Sequence, residues 1–93
     1  MNYDLIDLRL FVAIAEERNL TRGAARAHLA PSSASHRLRR LEEALNTSLF
    51  ERQTRGALTR AGEALLRNAR QVMASIEQMH ANLSPFATGI RGR

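Results

Sequence analysis

The stretch from Thr21 to Leu45, TRGAARAHLAPSSASHRLRRLEEAL, constrains the fold of this chain more than any other. Ala30-Pro31 interrupts it. Proline fixes its own φ, biases the preceding residue away from the helical region and suits the first turn of a following helix. Two short helices joined by a tight corner are therefore predicted, the second over Pro31–Leu45. On that second helix Ala34, Leu38, Leu41 and Leu45 recur at i, i+4, i+7 and i+11, which makes one apolar row. Opposite the row stand Ser32, His36 and Arg39, flanked by Ser35 and Arg40. A helix with leucines behind and short polar groups plus arginines in front suits the major groove of DNA. The leucines anchor it, and the small residues at its start let it approach base edges.

The charge distribution agrees. The 93 residues carry a net charge of +5, and all 14 basic residues are arginine. Residues 1–19 carry −2, residues 20–60 carry +5 and residues 61–93 carry +2. The positive field thus lies on the segment that would face nucleic acid. Arginine pairs bidentately with phosphate and guanine. A GC-rich genome produces the same arginine bias, so position is more informative here than residue type.

In chain order, a first helix is predicted over about Asp4–Arg18. Leu5, Leu8, Val12 and Ala15, widened by Phe11, form one apolar stripe; Ile6, Leu10 and Ile14 form another. A helix apolar on two sides sits between two partners. The first stripe is expected on the helix pair, the second on the long C-terminal helix or another subunit. Asp4 suits the positive end of the helix dipole, and Asn19 is expected to end the helix in a left-handed cap. Thr21 is the expected N-cap of helix two, where Gly23, Ala24, Ala25 and Ala27 permit close approach.

Asn46-Thr47 reads as a turn. Leu49-Phe50 and Ala57-Leu58 then flank a Gly56-containing loop, the pattern of a short β-hairpin. Three helices and a hairpin make a winged helix-turn-helix, the loop with Arg52, Thr54 and Arg55 being the wing. Thr59 should cap a long helix in which Leu65, Ala69, Val72, Ile76, Met79 and Leu83 step by 4, 3, 4, 3 and 4. That is a heptad seam, extended by Phe86, on a helix expected to end at Pro85. It can pack on helix one or pair with a second copy. Pairing is favoured because the helix outruns a domain this small. The organisation expected is a DNA-binding domain over 1–59, a dimerisation helix over 60–87 and a linker tail over 88–93.

Other classes find no support. The chain has no cysteine, and no stretch approaches the roughly 18 apolar residues of a membrane span. Asp4 and Asp7 stand where a signal peptide would be basic, so a soluble cytoplasmic protein is expected. His28, His36 and His80 share no metal-ligand spacing, and Ser32, Ser33 and Ser35 lie in no Gly-x-Ser-x-Gly elbow, so an enzyme is not expected. A small helical interaction module dimerising through the seam is the alternative from another class. Salt separates the two, since binding that neutralises phosphates weakens steeply with salt and an apolar contact does not.

Over residues 3–80 the sequence resembles the N-terminal domain of a LysR-type transcriptional regulator. The resemblance rests on Leu8-Arg9-Leu10-Phe11-Val12-Ala13-Ile14-Ala15-Glu16, Leu20-Thr21-Arg22 and Pro31-Ser32-Ser33-Ala34-Ser35-His36-Arg37-Leu38. It continues in Arg40-Leu41-Glu42-Glu43, Leu49-Phe50-Glu51-Arg52, Thr54-Arg55-Gly56 and Leu58-Thr59-Arg60-Ala61-Gly62-Glu63. It implies a mainly α winged helix-turn-helix followed by a long dimerisation helix. The function implied is sequence-specific binding of double-stranded DNA at an inverted-repeat promoter site, by a homodimer and, at full length, a possible tetramer. Pro31, Ser32, Ser35 and His36 would then meet bases and phosphates, Thr21 and Arg22 the backbone, and Arg55 would occupy the wing. Ser33, Arg37, Arg39, Arg40, Arg52 and Thr54 complete the expected DNA-facing set. No cofactor is expected in this chain. Family members bind a small inducer in a C-terminal domain that has no counterpart here, so a fragment of a longer protein is expected. Departures are also visible. Ala30-Pro31-Ser32 replaces a common Ser-Gln-Pro, His36 replaces a common arginine, Gly23 and Ala27 replace Ala and Leu, and the wing is one residue shorter.

Overall fold

Asp4 starts the first helix, α1 (Leu5–Glu17), from one residue outside it. Its carboxylate accepts from the Asp7 N–H at 3.0 Å, and the Asp7 carboxylate accepts from the Asp4 N–H at 3.0 Å. This reciprocal capping box is made entirely of aspartates. The structure, a computed structural model, describes residues 1–90, with side-chain surroundings through Ala87. Arg18, not Asn19, terminates α1 in the left-handed region at φ 53°. Asn19 instead caps α2 (Leu20–Arg26), its side-chain oxygen accepting from the Arg22 N–H at 2.8 Å. Thr21 therefore lies inside the first turn of α2 and is not its cap. Asn19, two residues earlier, does the work expected of the threonine.

The corner after α2 is turned by His28, at φ 60°, with the Leu29 N–H reaching back to the Ala24 carbonyl at 2.9 Å. Ala30 is extended, and Pro31 opens α3 (Pro31–Leu45) at its first position. Asn46 closes α3 in the left-handed region, with the Thr47 N–H bonded to the Glu42 carbonyl at 3.1 Å.

Two apolar clusters sit on opposite sides of α1. Leu10 and Ile14 pack with Ala24 and Ala34, joined by Leu20, Leu29 and Leu38. Phe11 packs with Leu41 and Leu49, joined by Leu8, Val12, Leu58, Leu65 and Leu66. The Leu10–Ile14 stripe meets α2 and α3 where the last helix or another subunit was expected, while the Phe11 stripe meets α3 as expected, through Leu41, and also the wing and the last helix. Gly23 sets how closely α2 meets the Leu10–Ile14 stripe. A Cβ there would stand 2.5 Å from the Ile14 Cα, so at this separation α2 needs a bare α-carbon facing that stripe. Leu10 and Ile14 are consequently core residues, removed from any surface a second chain could meet, whereas Ile6 is exposed. Burying a side chain such as Leu10 or Phe11 contributes about 1.5–3 kcal/mol.

The wing is shorter than a regular hairpin. A single antiparallel bridge joins Phe50 and Leu58, flanked by bonds from the Glu51 N–H to the Ala57 carbonyl at 2.8 Å and from the Thr59 N–H to the Leu49 carbonyl at 3.0 Å. The Thr59 hydroxyl donates to the Ser48 carbonyl at 2.7 Å and accepts from the Gly62 N–H at 3.0 Å, capping the last helix.

That helix, α4 (Arg60–Ile90), runs through Pro85 instead of ending there. The bond Pro85 forfeits is to the carbonyl of Ala81, which is exposed and open to water near the helix end. Of the segment expected as a tail, residues 88–90 continue α4 and residues 91–93 lie outside the described residues. The seam divides. Leu65 packs partly into the domain beside Phe11 and Leu41, and Ala69 has no exposed surface and so is removed from a dimer face. Val72, Met79, Leu83 and Phe86 are 40%, 49%, 55% and 68% exposed, and Ile76 is half-buried between them. The distal half of α4 projects from the domain, and the molecule measures 57 × 25 × 23 Å. No helix among the described residues is long and apolar enough to cross a membrane.

Candidate nucleic-acid interface

The open face of α3 begins at a bare N-terminus. Ala30 offers no side-chain cap, and Pro31 has no N–H. The positive end of the helix dipole is therefore left uncovered by protein. From there Pro31, Ser32, Ser33, His36 and Arg39 are exposed and Ser35 is half-buried, while Ala34 and Leu41 have no exposed surface at all. The apolar row holds α3 to the domain, and the polar row is free of it.

Two further elements border this face. Thr21 and Arg22 are exposed on the first turn of α2, and Arg52, Thr54 and Arg55 are exposed on the wing. Thr21, Ser35 and Arg55 line one cleft of about 410 Å³ with Arg18, Asn19 and Gly56. The wing is seated there because Gly56, at φ 74°, lies against the Arg18 carbonyl, where a Cβ would collide with the oxygen. A left-handed residue at that point with no side chain is what brings Arg55 beside α2.

The arginines divide into two groups. Arg37 donates to Asp7 at 2.8 Å and lies 3.5 Å from Asp4, and Arg40 donates to Asp7 at 3.3 Å. Arg26 pairs with Glu16 at 3.0 Å and Glu17 at 3.4 Å, and Arg70 pairs with Glu16 at 2.9 Å. By contrast, Arg22, Arg39, Arg52 and Arg55 make no ion pair among the described residues. Arg37, with a side chain 26% exposed, is thereby corrected from the outward set: its guanidinium is turned onto α1. Arg40, at 44%, is held on the same carboxylate and only its outer part reaches solvent.

The carboxylates behind these pairs are perturbed. Burial alone would push the Asp7 carboxyl up, but the hydrogen bonds and charge of Arg37, the Asp4 N–H and Arg40 outweigh it and hold it below its ordinary value. Hydrogen bonds from Arg70 and then Arg26 hold Glu16 down in the same way. Asp7 is the residue that sequence reasoning missed. It stands at i, i+3, i+7 with Leu10 and Ile14, and an acid in an apolar stripe signals a buried ion pair.

The arrangement offers Arg18, Arg22, Arg39, Arg52 and Arg55, none in an ion pair among the described residues, beside a hydroxyl- and imidazole-bearing helix. A family described as bacterial regulatory helix-turn-helix protein, lysR family, matches residues 5–63. The HTH-type transcriptional regulator BudR of Klebsiella aerogenes is 40% identical over 86 residues, covering 91% of this chain and 60% of BudR. PgrR of Escherichia coli K12, also an HTH-type transcriptional regulator, is 43% identical over 82 residues, covering 87% of this chain and 27% of PgrR. The chain thus spans less than two thirds of either relative. Among solved structures, a BenM DBD/catB site 1 DNA complex superposes with a TM-score of 0.86 at 31% identity, covering 92% of this chain and 94% of that one. A CbnR DBD–DNA complex gives 0.80 at 30% identity, covering 90% and 98%.

Proposed function

The chain belongs to the lysR family of bacterial regulatory helix-turn-helix proteins, and from that premise we propose that it binds an inverted-repeat promoter duplex as a homodimer. The observation that carries the reading is the divided α3: Ala34 and Leu41 fully buried, Ser32, His36 and Arg39 open to solvent. In this reading α3 enters the major groove, where Ser32, Ser33, Ser35, His36 and Arg39 read base edges. Arg22 and Thr21 on α2 and Arg52, Thr54 and Arg55 on the wing contact the sugar-phosphate backbone, which fixes register without reading sequence. The similarity to DNA complexes of BenM and CbnR domains supports that placement.

The dimer is built by the distal α4 face, Val72, Ile76, Met79, Leu83 and Phe86, with Ile6 of α1 as a further exposed apolar residue. Two copies related by a two-fold axis present two α3 helices, so the site on DNA is a dyad. No cofactor takes part in this binding. A small-molecule inducer, where one operates, binds outside these residues, and the protein works in the cytoplasm.

Selection of bound duplexes from a random pool tests the reading directly. Enrichment of two half-sites related by a dyad is expected. Recovery of unsymmetrical sequences refutes the dimer, and no enrichment refutes sequence-specific binding.

A further inference from the structure

We propose that Asp7 is a positioning residue for DNA reading: by gripping Arg37 and Arg40 it sets the roll of α3 and withholds two guanidinium groups from the phosphate backbone. The inference rests on the DNA-binding reading above. The Asp7 side chain has no exposed surface, and its two oxygens serve partners 30 and 33 residues away in sequence. Oδ1 accepts from Arg37 Nη1 at 2.8 Å. Oδ2 accepts from Arg40 Nη2 at 3.3 Å and from the Asp4 N–H at 3.0 Å. A neutral amide turns one of these two oxygens into an NH2 donor and removes the charge, so it cannot hold both arginines in this arrangement.

Geometry makes this grip a restraint on rotation. Arg37 and Arg40 are three residues apart, so they lie on one flank of α3, between its buried row and its open face. The apolar row of Ala34, Leu38 and Leu41 seats α3 on the domain, and the two ion pairs add a second restraint along the flank beside it. Holding that flank fixes where Ser32, His36 and Arg39 point.

The same grip bears on specificity. Phosphates are alike at every sequence, so an arginine free to reach one strengthens all binding and adds nothing to discrimination. With Arg37 and Arg40 drawn onto Asp7, Arg39 is the one arginine of α3 without a carboxylate partner among the described residues.

The experiment is the salt dependence of binding by the 93-residue chain to two duplexes, the one recovered by selection and a scrambled one of equal composition. Asp7→Asn is expected to steepen the slope of log affinity against log salt by about 0.9 to 1.8, one to two extra phosphates. It should also tighten binding to the scrambled duplex and narrow the ratio between the two. Asp7→Glu, which keeps the charge, should stay nearer the native slope than Asp7→Asn. Should Asp7→Asn fail to fold, Arg40→Met decides: it is expected to remove less than half the slope that Arg22→Met, at a backbone-contacting arginine, removes. Parallel weakening on both duplexes at the native slope means a merely structural role and overturns the proposal. So does an Arg40→Met loss equal to that of Arg22→Met. A native chain whose binding ignores salt refutes the DNA-binding reading itself, and the inference with it.

Discussion

Replacing Gly23 with alanine sets helix propensity against packing, and the two predict opposite signs. Alanine within α2 gains about 1 kcal/mol over glycine from propensity alone. Its Cβ would, however, stand 2.5 Å from the Cα and Cγ1 of Ile14 and 2.7 Å from its N. Carbon atoms pack best at about 3.5–4.0 Å, so the shortfall is about 1 Å. Cγ1 can swing away in another rotamer. The Ile14 Cα and N belong to the backbone of a buried helix and cannot. Helix α2 must therefore retreat and open the cluster of Leu10, Ile14, Ala24 and Ala34. Overpacking costs about 1–3 kcal/mol, and an obstacle made of backbone places this site at the upper end. The net effect is a destabilisation of about 2 kcal/mol. For a domain of this size that lowers Tm by roughly 8–16 °C. Thermal and urea unfolding followed by circular dichroism measures it, with Ala25→Gly as the control for propensity on the exposed side of the same helix. A Gly23→Ala protein more stable than the native one would refute the account of how α1 and α2 meet.

Three further outcomes are expected. Val72→Asp combined with Ile76→Asp places two charges on the open α4 face and should yield monomers in sedimentation equilibrium; an intact dimer would move the interface elsewhere. Arg55→Ala should weaken binding to every duplex alike and lower the salt slope by about 0.9, one phosphate contact, whereas a change in which bases are preferred would contradict a backbone role for the wing. The Asp7 and Glu16 carboxyls are held below their ordinary 3.8 and 4.5, so the folded chain binds fewer protons than the unfolded one. Their contribution is complete above those values and lost as pH falls through the depressed ones, so urea midpoints should be level near neutrality and drop in acid. Glu16→Gln should remove part of that drop, a smaller part than Asp7 supplies because Glu16 is partly exposed and screened.

The local grammar of the chain was legible from its residues. Pro31 could only open a helix, Ala34, Leu38, Leu41 and Leu45 could only share a face, and Thr59 capped what followed it, because these are consequences of dihedral angles and helical period within one segment. The open polar face of α3 and the protruding apolar half of α4 follow from the same periodicity. What periodicity could not supply was which neighbour each face would meet. Both stripes of α1 are apolar, and nothing within α1 says that Leu10 and Ile14 go to α2 while Phe11 is shared by α3, the wing and α4; how closely α2 meets Ile14 is set by the missing Cβ of Gly23, on another helix. Likewise the arginines of residues 20–60 look alike in sequence. Only the fold brings Asp7 and Glu16 to Arg37, Arg40 and Arg26 and leaves Arg22, Arg39, Arg52 and Arg55 unpaired, because an ion pair across 30 residues is settled by packing and not by spacing.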